Sequence, residues 1–118
     1  MALHIKTGAD GENLADSWLK ERGYEILHRN WRHLHYEIDI IAHKNRKLHF
    51  VEVKCRNYSP FGYPEESVTK RKFKNLQRAA DQFLFLNPGH KWIQYDILSV
   101  TLYKNKAPEF FLLEDVFL

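Results

Sequence analysis

Cysteine is nearly absent. Cys55 is the only one, so the chain can form no internal disulfide, and a reducing compartment suits it. Without a Cys-x-x-Cys pair, thiol redox chemistry is excluded. Cys55 follows Lys54 on an expected strand, which turns its side chain to the opposite face as a packing residue. Long apolar runs are also missing. No stretch approaches the roughly 20 residues that span a bilayer, and Met1 to Asp10 has no apolar run of signal-peptide type. A cytoplasmic protein with no membrane partner is expected. There are only 5 glycines and 4 prolines, and they form neither a glycine-rich phosphate loop nor a nucleophile elbow. That excludes nucleotide-binding and serine-hydrolase classes. No repeat, low-complexity tract or linker interrupts the 118 residues, so one domain over 1–118 is expected.

What is present suffices for one core: 44% apolar and 14% aromatic residues. The net charge of +3 is weak evidence for a polyanionic partner. Its distribution says more: Lys70, Arg71, Lys72, Lys74 and Arg78 crowd one short segment, the footprint expected of a phosphate-binding face. A solvated helix face is the plainer account of the same run.

Asp10-Gly11-Glu12 opens a helical pattern carrying Leu14, Ala15, Trp18 and Leu19 on one stripe, with Asp10 as N-cap and Gly23 just past the end. Tyr24–His28, Tyr36–His43 and Leu48–Lys54 read as strands. Ser59–Pro64 is a loop. A second helix starts near Ser67 or Thr69, with Phe73, Leu76, Ala80, Phe83 and Leu84 at helical spacing, and Asn87-Pro88-Gly89 stops it. Trp92–Val100 is a fourth strand, and Phe110–Leu118 adds a fifth. The order predicts an α/β domain with a mixed sheet: three strands in antiparallel hairpins, then a right-handed crossover making the third and fourth parallel.

The chemistry concentrates in Glu37-Ile-Asp39-Ile-Ile and Phe50-Val-Glu52-Val-Lys54. A four-residue loop over Lys44–Lys47 pairs His43 with Leu48, placing Asp39 opposite Glu52 and Glu37 opposite Lys54. Alternation then sends all four polar groups to one face and Ile38, Ile40, Val51 and Val53 to the other. Two carboxylates with Cβ atoms about 5 Å apart require a shared proton or a cation. Hard oxygen donors favour Mg²⁺ or Mn²⁺, and Lys54 is placed to orient a water or stabilise developing phosphorane charge. The alternative is an ion pair between Glu37 and Lys54, with Asp39 in water at a strand end.

The hairpin resembles the PD-(D/E)XK nuclease superfamily, whose signature is Asp on one strand and Glu-x-Lys on the next. The whole chain resembles the YraN family of uncharacterised bacterial proteins, a Holliday-junction-resolvase-like branch. The likeness runs through Gly11-Glu12, Ala15, Leu19, Gly23-Tyr24, Asn30-Trp31-Arg32, Glu37-Ile38-Asp39, Phe50–Lys54, Arg56, Phe61-Gly62, Val68, Lys72 and Asp96. It implies a restriction-endonuclease-like αβββαβ core flanked by two helices. It also implies Asp39, Glu52 and the Val53 carbonyl as metal ligands, Lys54 as the catalytic lysine and Glu12 as an acid brought from the first helix. Tyr36 stands where the family usually has glycine, and Phe73 follows Lys72 where glutamine is usual.

The expectation is a metal-dependent phosphodiesterase, a DNA endonuclease of resolvase-like type. Glu12 and Glu37 orient water or complete a second site, while Arg56, Lys70 and Lys72 grip backbone phosphates. Tyr36 and Trp31 are candidates to stack on unpaired bases, with burial the stronger role for Trp31. A homodimer is carried over from resolvases. The alternatives are a non-catalytic nucleic-acid-binding module with the same fold, and a domain whose basic helix meets an acidic partner. A zinc set of His33, His35 and Glu37 is weaker than solvated strand edges. His43 and His49, flanking the hairpin turn, are expected at the surface.

Overall fold

The computed structural model describes residues 7–61 and 70–117. The expected helix start at Ser67 or Thr69, the loop residues Gly62–Pro64 and the terminal Leu118 lie outside them.

Helix α1 spans Thr7–Glu21. It begins three residues before the expected cap, so Asp10 occupies the first turn and sets its charge against the positive end of the helix dipole. The helix ends as expected. Gly23, at φ 90°, follows the last turn; its N–H donates to the Lys20 carbonyl and that of Tyr24 to Leu19, both at 3.0 Å. This double closure needs a residue in the left-handed region.

Five strands follow in chain order: β1 Glu25–His33, β2 Tyr36–Lys44 and β3 Lys47–Asn57, then, after α2 at Lys70–Leu86, β4 Ile93–Leu102 and β5 Glu109–Leu113. They lie in the order β1-β2-β3-β4-β5. Only β3 and β4 pair in parallel, across the crossover through α2; the other pairs are antiparallel. β1 runs well past His28 because it is a mostly exposed edge strand, with no apolar alternation to mark its length.

The hairpin keeps the expected register with a tighter turn. His43 faces Leu48, but Lys44 and Lys47 pair rather than loop out. Asn45 (φ 51°) and Arg46 (φ 66°) make the reversal alone, the mirror-image turn that suits strand twist.

The sheet is covered on both sides. Under α2, Phe73, Leu76, Ala79, Ala80 and Phe83 pack on Ile41, Leu48 and Phe50. Phe83 meets Phe50, Trp31 and His28 edge-on, with centroids 5.4–5.9 Å apart; a ring buried this way is worth about 3–5 kcal/mol. Under α1, Ala15 and Leu19 pack on Ile40, Ala42, Val51, Leu98 and Val100. All the basic residues of α2 from Lys70 to Arg78 are exposed.

Two expectations fail here. Ile38 does not share a layer with Ile40 and Val51: it belongs with Phe83 under α2, so simple alternation breaks at Asp39. His49 is not at the surface. It is buried, with its Nδ1 2.7 Å from Oδ2 of a fully buried Asp96. Asp96 also accepts from Gln94 Nε2 at 2.9 Å and from the Asp115 N–H at 3.0 Å. The Tyr24 ring stands edge-on to His49, and its hydroxyl is pushed up to about 12 by burial first, then by Asp96 and Glu114.

Candidate metal centre at the open end of the hairpin

The β2–β3 ladder runs from Lys44↔Lys47 to Ile40↔Val51 and stops there. The next facing residues would be Asp39 and Glu52. Instead of continuing the ladder, Asp39 turns its side chain across the gap, and Oδ2 accepts the Val53 N–H at 2.8 Å. In an extended strand the N–H and C=O of one residue point the same way, so the Val53 carbonyl faces this gap too.

The face change at Asp39 has a counterpart on β1. Trp31↔Ile38 and Arg29↔Ile40 flank Asn30 and Asp39 in the register, and Asn30 takes φ 51°. Trp31 packs under α2, whereas Arg29 reaches α1, donating to Asp16 at 3.3 Å and Asn13 at 2.8 Å. Asn30 also turns to α1 and donates through Nδ2 to Glu12 Oε2 at 2.9 Å. These bonds hold Glu12 beside the gap.

Gly11 makes the approach possible. A Cβ there would lie 2.5 Å from both Cβ and Sγ of Cys55 on β3, well inside contact distance. Cys55 itself is half-buried under α1, the packing role expected of it.

Asp39 and Glu52 are half-buried and hydrogen-bonded to one another. Asp39 lies above the ordinary carboxylate range, chiefly through burial; the Val53 N–H and Glu52 pull it down, and Glu12 and Glu37 push it up. Glu52 rises to about 7, first through burial, then through repulsion by Asp39 and donation of its proton to Asp39. Lys54 and Lys72 oppose that rise, which places both ammonium groups within electrostatic reach. The two lysines do not offset burial and mutual repulsion, so both acids stay above their ordinary range. Among the described residues no cluster of three or more His, Cys, Asp or Glu side chains is arranged to hold a metal ion. The groups that could hold one are the Asp39 and Glu52 carboxylates and the Val53 carbonyl.

The remaining site residues spread outward. Glu37 is exposed and pairs with Arg32 at 3.7 Å across β1–β2. Tyr36 is half-buried against the α2 layer with the His35 ring 4.3 Å away. Phe73 is buried, so it offers no polar contact beside Lys72. Lys70 and Lys72 are exposed on the first turn of α2, and Arg56 is exposed near the end of β3. Sequence reasoning missed Asn30, whose left-handed backbone no alternation pattern signals. It also missed that Lys72 reaches Glu52, although the sequence placed Lys72 near phosphate.

A five-stranded mixed sheet between two helices, with Asp and Glu-x-Lys on its central hairpin, defines an α/β protein of the restriction-endonuclease-like fold. The comparisons with known proteins carry the assignment one step further. Residues 11–100 match the Uncharacterised protein family UPF0102, and the chain belongs to that family. A UPF0102 protein of Bacteroides thetaiotaomicron is 45% identical over 100 residues, covering 85% of this chain and 83% of the relative. One of Chloroherpeton thalassium is 37% identical over 125 residues, covering 99% and 97%. One of Syntrophomonas wolfei is 40% identical over 106 residues, covering 89% and 92%.

Proposed function

We infer that this chain is a divalent-metal-dependent phosphodiesterase acting on nucleic acid, an endonuclease of resolvase-like type with DNA as its substrate. The supporting observation is the pair of half-buried carboxylates, hydrogen-bonded to each other and raised above their ordinary range, at the point where the ladder opens. Such a pair is relieved by a cation. Two carboxylates and one carbonyl leave room for waters and a substrate phosphate, the coordination Mg²⁺ prefers, with Mn²⁺ a substitute. A bound Mg²⁺ would polarise the scissile phosphate and lower the pKa of a bound water.

The chain's own groups divide the remaining work. Asp39 and Glu52 would hold the ion, with the Val53 amide fixing the Asp39 rotamer. Lys54, within electrostatic reach of Glu52, orients the attacking water and stabilises charge on the phosphorane. Glu12, held by Asn30, and Glu37 lie on the Asp39 side and orient water or help complete a second metal position. Lys70, Lys72 and Arg56 contact flanking phosphates, and Tyr36 sits close enough to the strand entry to meet a base. A homodimer would supply the two sites that junction cleavage needs.

The test is cleavage of linear, flapped and four-way DNA with Mg²⁺ or Mn²⁺. Asp39→Asn and Glu52→Gln are each expected to lower the rate by at least about 10²-fold. Cutting that survives both substitutions belongs to a contaminant and overturns the proposal. Absence of cutting with binding that weakens steeply in salt would leave a binding module instead.

A further inference from the structure

A second concave feature lies beyond the end of β3. There a groove of about 1160 Å³ is lined, among the described residues, by Leu14 of α1, by Asn57 and Tyr58 leaving β3, and by Tyr103, Lys104 and Lys106 leaving β4. β3 and β4 are parallel and end together at Asn57↔Leu102, so the groove sits outside two carboxyl ends, where open α/β sheets place ligands.

Its centre is an aromatic step. Tyr58 and Tyr103 are stacked, with centroids 4.9 Å apart and planes at 28°. Tyr103 is committed: Lys106 Nζ lies 4.2 Å over its ring, and its hydroxyl donates to Glu109. Tyr58 is anchored through its backbone, its N–H donating to the Leu102 carbonyl at 2.8 Å. One ring face rests on Tyr103, and with the residue 51% exposed Tyr58 still offers surface to a ligand. Exposed Lys104 supplies positive charge on one wall, joined by Lys106, which also pairs with Glu109 at 4.0 Å, and the Asn57 amide supplies donors and an acceptor. Asp10, on the α1 wall, is the one acidic group among the lining residues described.

We propose that this groove binds an unpaired nucleotide, its base stacked on Tyr58 and its phosphate met by Lys104 and Lys106. This rests on the nucleic-acid reading of the acidic site and extends it: the preferred substrate carries a single-stranded segment beside the bond to be cut. A flat π-face backed by a second ring, beside flexible cations, is the usual platform for single strands. Position agrees with this. Tyr58 lies four residues beyond Lys54, roughly 13 Å along an extended chain, with Arg56 between them. α1 borders both features, presenting Glu12 to the acids and Asn13 and Leu14 to the groove.

Fluorescence polarisation with a labelled oligothymidylate and a blunt duplex of equal length tests this, with Ca²⁺ replacing Mg²⁺ to prevent cutting. Tyr58→Ala is expected to weaken single-strand binding about tenfold and leave duplex binding within about twofold, whereas Tyr58→Phe retains both. Lys104→Ala is expected to reduce the single-strand salt slope by about one. Equal weakening on both ligands, no change on either, or an equal loss with Tyr58→Phe would overturn the stacking site while leaving the acidic site standing. If the wild type binds neither ligand at low salt, the nucleic-acid reading fails, and this proposal fails with it.

Discussion

Two polar centres draw on one hairpin, the first through His49 near its turn and the second through Asp39 and Glu52 at its open end, and they are built on opposite rules. In the first, Asp96 on β4 faces Val51 and accepts from His49, Gln94 and the Asp115 amide, so both oxygens of a fully buried carboxylate are partnered. At the open end, Asp39 and Glu52 have mainly each other and one amide, with two lysines at electrostatic reach. The first arrangement is satisfied within the protein; the second leaves two mutually repelling acids raised above their ordinary range. Burial alone does not mark a functional acid, and what separates the two is whether the protein itself completes the acid's surroundings.

Removing a carboxylate should therefore have opposite signs at the two centres. Asp96→Ala strands two buried donors, His49 and Gln94, and the part-buried Asp115 amide, and is expected to cost about 3–5 kcal/mol in urea titration. A loss below about 1 kcal/mol would break the comparison. Glu52→Gln should instead stabilise the metal-free protein. Glu52 is held at about 7 against an ordinary 4.5, so the folded state binds its proton more tightly than the unfolded chain does. That contribution is fully present below about pH 4.5 and is lost as pH rises through about 7. With EDTA at pH 8 the variant is expected to gain at most about 3 kcal/mol and to gain little at pH 4.5. Excess Mg²⁺ should narrow the gap by stabilising the wild type alone. A variant less stable than wild type at both pH values would sink the argument.

A smaller effect sharpens the picture at the open end. Gly11→Ala forces a methyl against Cys55 at 2.5 Å and is expected to cost about 1–3 kcal/mol, with a loss of cleavage as Glu12 moves away. Combined with Cys55→Gly, the cost should be less than additive. Strict additivity would mean that the helix seats itself without this contact.

Much of this was legible in the sequence because it rests on short-range rules. Alternating Ile and Val residues set the β2–β3 register, which survived a tighter turn than expected because Asn45 and Arg46 both adopt positive φ. The parallel crossover followed from element order, and the end of α1 from Gly23. What was illegible depends on distance or on backbone twist. His49 looks like a surface residue beside a turn, and its partner lies 47 positions away. Ile38 looks like a companion of Ile40, but the coincident face change at Asn30 and Asp39 leaves no trace in a binary pattern. That same change carries Asp39 across to the Val53 amide, so the least readable stretch of the sheet is the one on which the candidate site depends.

The early end of the ladder has a mechanical corollary. The hairpin resembles a clothes-peg: rungs secure it from the spring to the middle, and beyond Ile40↔Val51 the jaws are joined through Asp39, by its bonds to the Val53 amide and to Glu52. Parting these two bonds costs on the order of 1 kcal/mol each, against several times as much to unzip a run of rungs. The mouth can thus spread to admit a bulky guest while the sheet behind it stays shut.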